Sequence, residues 1–82
     1  MKISSAINRM KKTGLPVTWN QTDYRYEVNF GKGSIRFSPN GKHTPDAEIV
    51  CFEVVDNRSG MTWLKPNMAQ ALKRLTDAGL NN

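Results

Sequence analysis

Residues 24–37 read YRYEVNFGKGSIRF, and this stretch constrains the fold more than any other. Tyr24, Tyr26, Val28 and Phe30 alternate with Arg25, Glu27 and Asn29; beyond Gly31-Lys32-Gly33, Ile35 and Phe37 alternate with Ser34, Arg36 and Ser38. A period of two marks strands with one covered and one wet face, and a short glycine-bounded break joins two of them as an antiparallel hairpin. Glycine supplies the positive φ of such a reversal without steric cost. The pleat then puts Tyr26, Val28, Phe30, Ile35 and Phe37 on the core face and turns Arg25, Asn29 and Arg36 the other way.

The flanking segments change period. Ile3, Ala6, Ile7 and Met10 follow helical spacing and predict a helix over residues 3–13, stopped at Gly14 and Pro16. Lys2, Arg9 and Lys12 form a basic ridge beside its apolar stripe. Val17 and Trp19 alternate with Thr18 and Asn20 as a further strand. Residues 39–45, PNGKHTP, predict an exposed, mobile loop, and residues 56–60, DNRSG, a turn. Met61-Thr62-Trp63 fits either a short fifth strand or the lead-in to a helix. Met68, Ala71, Leu72 and Leu75 predict a second helix over residues 65–78, with Pro66 in its first turn and a Schellman end at Gly79 that folds Leu80 back on Leu75.

This order predicts an α+β fold: helix, three- to four-stranded antiparallel sheet, helix, with both helices on one sheet face. A chain of 82 residues has room for a single domain, 1–82. Its apolar share of 38% is modest, so the core is expected to depend on Trp19, Tyr24, Tyr26, Phe30, Phe37, Phe52 and Trp63.

One strand breaks the alternation. EIVCFEVV, residues 48–55, holds six apolar residues in eight. Read as a continuous strand, it turns Val50, Phe52 and Val54 to the helices and Ile49, Cys51 and Val55 to the far side. Two short helices cover one side of a sheet, so that far side is expected to be open and partly apolar. An apolar patch rimmed by arginines is the usual make-up of a protein-binding site, which makes Ile49, Cys51, Val55, Arg25 and Arg36 the candidate partner-binding residues.

The charge of +5 is uneven: residues 1–45 carry eight basic and two acidic side chains, residues 46–82 four and five. Such a field suits a polyanion, and Arg9, Lys11, Lys12, Lys32 and Lys42 are the candidate phosphate contacts; the same charge also serves solubility. The arginines of YRY and IRF lie on the face away from the tyrosines, which argues against a single-strand reader that stacks bases beside cations.

Catalytic chemistry finds little support. His43 sits in the loop without a nucleophile elbow or metal-ligand spacing around it, and Cys51 reads as a packed thiol within a strand. Gly31-Lys32-Gly33 does not open a helix and is too short to cradle phosphate. No enzyme activity, cofactor or metal is expected. A single cysteine excludes an internal disulfide, and no apolar run approaches the ~20 residues of a membrane span or the core of a signal peptide. A cytoplasmic location is expected.

The layout, with KTGLPVTW after helix one and NMAQALKRL in helix two, loosely resembles a double-stranded RNA-binding domain. That family presents a lysine cluster at the start of its second helix; here the matching LKPNMAQ offers Lys65 alone, so RNA binding is not carried over. In size and in lacking a catalytic set, the chain also resembles small phage-encoded proteins that inhibit a host system by binding to it. The expected function is that of a non-enzymatic binding protein occupying a surface of a larger protein or nucleoprotein assembly. The alternatives are a basic nucleic-acid-binding module and a homodimer paired through its open sheet faces.

Overall fold

Five strands form one antiparallel meander in the computed structural model, which describes residues 1–81. They are β1 (Thr18–Asn20), β2 (Arg25–Asn29), β3 (Gly33–Phe37), β4 (Phe52–Asp56) and β5 (Thr62–Lys65), in that spatial order, with α1 (Ile3–Lys11) before them and α2 (Met68–Asp77) after. Both helices cover the same sheet face, as the sequence predicts. The sheet has five strands rather than three or four because Met61-Thr62-Trp63 leads into a strand that pairs with β4, Val54 opposite Trp63.

The β2–β3 hairpin turns at Gly31 and Lys32. Gly31 has φ 97° while Lys32 keeps negative φ, the pattern of a type II′ turn, and the Phe30 N–H donates to the Gly33 carbonyl at 2.8 Å. Tyr26 pairs with Phe37 and Val28 with Ile35, so the core face predicted from the alternation is the one observed.

The helix ends follow from local chemistry. α1 has no side-chain N-cap; the Ile3 and Ser4 N–H groups donate instead to the carbonyls of Ala47 (2.9 Å) and Pro45 (3.1 Å). α2 starts at Met68 and not at residue 65, because Lys65 pairs with Phe52 in the ladder and the Asn67 side chain caps the helix at the Gln70 N–H, 2.9 Å. At its far end Leu80 donates to the Leu75 carbonyl and Gly79 to that of Thr76, both at 2.9 Å, which is the Schellman end expected.

The core is more aliphatic than expected. Ile3, Ala6 and Met10 of α1 and Met68, Ala71 and Leu75 of α2 pack over Val28, Ile35, Phe37, Phe52 and Val54. Of the seven aromatic residues only Phe37 and Phe52 are buried; Trp19, Tyr24, Tyr26, Phe30 and Trp63 are half-buried. The helices seal the centre of the sheet, and the remaining rings line its margins, where Trp and Tyr can wet their polar tips.

EIVCFEVV is not one strand. The ladder with β3 begins at Phe52, opposite Phe37. Residues 48–51 cross the end of the sheet instead: Glu48 bridges to Lys2, the Asn40 N–H donates to the Glu48 carbonyl at 2.8 Å, and the Ile49 N–H donates to the Met1 carbonyl at 2.9 Å. This reverses the expected sidedness of Ile49 and Val50, while Phe52, Val54 and Val55 keep the faces expected of them. Ile49 joins the core, whereas Val50 is 68% exposed.

Candidate functional site

The face left uncovered by the helices carries one continuous row across all five strands: Thr18, Glu27, Arg36, Glu53 and Leu64. Its centre is an ion network. One oxygen of Glu27, Oε1, receives Arg25 Nε at 3.1 Å and faces Arg36 Nε at 3.5 Å, and Arg25 also reaches Asp23 at 3.2 Å. Arg36 Nε is buried without a well-formed hydrogen bond. Pairs exposed to this degree contribute only about 0–1 kcal/mol each, so their main effect is to hold the two guanidinium groups beside Glu27.

The predicted partner-binding residues divide between environments. Arg25 and Arg36 lie on the open face as expected. Val55 lies there too, beside Ser34 and Thr62, but it is 5% exposed. Ile49 is in the core and is withdrawn from the surface altogether. Cys51 is half-buried and lines, with Val50, Arg36 and Glu53, a shallow hollow of about 180 Å³ at the end of β4. The apolar contribution to this face comes from residues the alternation did not single out, Val50 and Leu64, the latter 67% exposed.

At the same end of the molecule but on the helix side, the 39–45 loop is tied down rather than free. His43 stacks on Trp19 with ring centroids 3.7 Å apart and planes at 14°, and its Nε2 meets the Tyr26 hydroxyl. Tyr24, at φ 54°, donates its hydroxyl to the Gly41 carbonyl. Trp19 and Tyr26 are register partners, so the strand pairing itself builds the platform on which His43 lies. Burial pushes the Tyr26 phenol above its ordinary value. Between this platform and α1 runs a groove of about 390 Å³ lined by Ile3, Ile7, Tyr26, His43 and Pro45. The sequence signal was the aromatic run WNQTDYRY; what it could not give was the loop that returns over it.

Of the candidate phosphate contacts, Arg9, Lys11, Lys12, Lys32 and Lys42 are all exposed, and none has a carboxylate within ion-pair distance among the described residues. They do not converge. Lys32 stands in the β2–β3 turn, whereas Lys42 lies in the loop that follows β3, at the opposite end of that strand. Among the described residues no three His, Cys, Asp or Glu side chains gather as a metal site, and no helix is long and apolar enough to cross a membrane.

Comparison of the chain with protein-family models, with characterised proteins and with solved structures returns no match. The layout resemblance to double-stranded RNA-binding domains therefore gains no support, and function has to be argued from the surfaces themselves.

Proposed function

We propose that this chain is a non-enzymatic binding protein that acts by occupying a surface of a larger protein or nucleoprotein assembly. The observation that carries the reading is the open sheet face: two arginines held by Glu27 in the middle, with Leu64 at one margin and Val50 and Cys51 at the end of β4. Ordered arginines beside exposed aliphatic side chains are the make-up of a protein contact, because the ordering cost is met before the partner arrives. Obstructing the partner's surface, as small phage-encoded inhibitors do, needs no moving part. A reducing cytoplasm suits the unpaired Cys51 thiol.

The test is capture by crosslinking and mass spectrometry with the wild-type chain and with Leu64→Asp and Val50→Asp. Both side chains stand in solvent, so the variants are expected to fold normally and to lose the partner that the wild type retains. Retention of the same partner by both variants rejects this face.

A second reading rests on the five unpaired cations. Titration of duplex DNA, duplex RNA and single strands at rising salt tests it: binding whose affinity falls steeply with salt, and falls again in Lys11→Glu/Lys32→Glu, supports phosphate contacts by these cations. Self-pairing of open faces is the third outcome, and light scattering at tens of micromolar, about the range where such weak pairing would register, distinguishes it.

A further inference from the structure

The register of β5 determines which of its backbone groups are unused. The Asp56 N–H donates to the Met61 carbonyl at 2.8 Å, which makes that pair a hydrogen-bonded one. Alternation along an antiparallel ladder then makes Trp63 and Lys65 the residues bonded to β4, and it leaves Thr62 and Leu64 with N–H and C=O directed outward. β5 is the last strand of the sheet, and among the described residues no other backbone segment pairs with those groups.

A basic groove runs beside this edge on the helix side. Lys65, Gln70, Lys73, Arg74 and Asp77 line about 420 Å³, and the one carboxylate is already paired with Lys73 at 3.3 Å. The Arg74 guanidinium lies 5.2 Å over the Trp63 ring, and its Nε is buried with no hydrogen-bond partner. On the other side of the same strand Leu64 stands 67% exposed.

We propose that the β5 edge is the docking site for an extended acidic segment of a partner protein, which adds to the sheet as a sixth strand. The inference rests on the protein-binding reading and names the partner's chemistry. Outward N–H and C=O groups on Thr62 and Leu64 match a peptide backbone in extended form. Side chains of the added strand alternate between faces. Those on the helix side meet Lys65, Lys73 and Arg74 and are Asp or Glu; those on the open side meet Leu64 and are apolar. A nucleic-acid backbone would satisfy the cations but cannot pair with a strand edge. A second copy of this chain would bring the same positive charge into the groove.

The probe is a fluorescein-labelled peptide of alternating Glu and Leu, titrated with the full chain at physiological salt and followed by anisotropy. Saturable binding is expected, weakened at least about tenfold by Leu64→Pro and by Lys73→Glu. Proline at Leu64 removes an N–H that points away from β4, so the existing ladder is retained; thermal melts verify it. Should that variant fail to fold, a peptide N-methylated at every second residue, offered to the wild type, removes the same backbone pairing and is expected to bind at least about tenfold more weakly. Equal binding of the N-methylated peptide, equal binding of single-stranded DNA of the same charge, absence of binding up to about 1 mM, or a wild-type dimer that Leu64→Pro dissociates each overturns the proposal. If the edge fails while Leu64→Asp and Val50→Asp still abolish capture of a cellular partner, the broader protein-binding reading stands without it.

Discussion

Gly33 lies directly against Leu80: a Cβ on the glycine would stand 2.6 Å from the Leu80 Cβ and 3.0 Å from the Val55 carbonyl oxygen. Neither atom is the free end of a flexible side chain, so neither can yield cheaply. The Schellman end of α2 thus presses its last apolar residue onto the one strand position that has no side chain. Gly33→Ala is expected to cost about 1–3 kcal/mol, the range for overpacking a closed site, measured by urea unfolding. An unchanged midpoint would show that the helix end is not seated there.

Ile49 and Val50 are adjacent in sequence and opposite in burial, at 6% and 68% exposed. Ile49→Ala is expected to destabilise by about 2–5 kcal/mol and Val50→Ala by no more than about 0.5 kcal/mol. A continuous strand with the sidedness read from EIVCFEVV predicts the reverse order, so the pair of unfolding curves decides between the two placements.

Asp56 organises the β4–β5 turn. Its Oδ1 accepts from the Arg58 N–H at 2.9 Å and more weakly from the Ser59 N–H, and the Arg58 bond holds the carboxyl below the ordinary carboxylate value. A folded-state pKa below the unfolded one means stability present above the unfolded value, about 4, and lost as pH falls through the folded one. Asp56→Asn is expected to be less stable than wild type at neutral pH, with the difference closing in acid below both pKa values. Parallel unfolding midpoints across that range would remove the turn's dependence on the carboxylate.

Tyr26 gives the opposite limb. Burial raises its phenol pKa, so the contribution is full below the unfolded value, about 10, and is lost as pH rises through the folded one. Stability is expected to fall at alkaline pH more steeply in wild type than in Tyr26→Phe. The same substitution removes the hydroxyl that meets His43 Nε2, so Trp19, on which His43 stacks, is expected to change its fluorescence at neutral pH. Identical emission in the two proteins would mean that the Tyr26 hydroxyl does not hold His43 on Trp19.

Much of this architecture was legible from spacing. The hairpin at Gly31-Lys32, the core faces of β2 and β3, the helix stripes and the Leu80 end all follow from periods of two and 3.6 and from glycine's access to positive φ, each decided within a few neighbouring residues. The open-face reading was only half legible. Arg25 and Arg36 could be assigned because strand alternation is rigid once a hairpin is pinned. Ile49 could not, because its placement depends on segments distant in sequence: its N–H donates to the Met1 carbonyl, and the Asn40 N–H donates to the carbonyl of Glu48 before it.

The sequence by itself determined the helix–sheet–helix order, the antiparallel meander's central hairpin, the uneven charge and the outward placement of Arg25 and Arg36. These are local properties, encoded by neighbours at most a turn or a pleat away. The tertiary structure decided the rest: that His43, though exposed, stacks on Trp19, that Ile49 fills the core while Val50 leaves it, and that Lys65, Lys73 and Arg74 share one groove beside an unpaired strand edge. Each of these joins segments far apart in the chain, and long-range packing and hydrogen-bond satisfaction, which no local spacing records, select the arrangement.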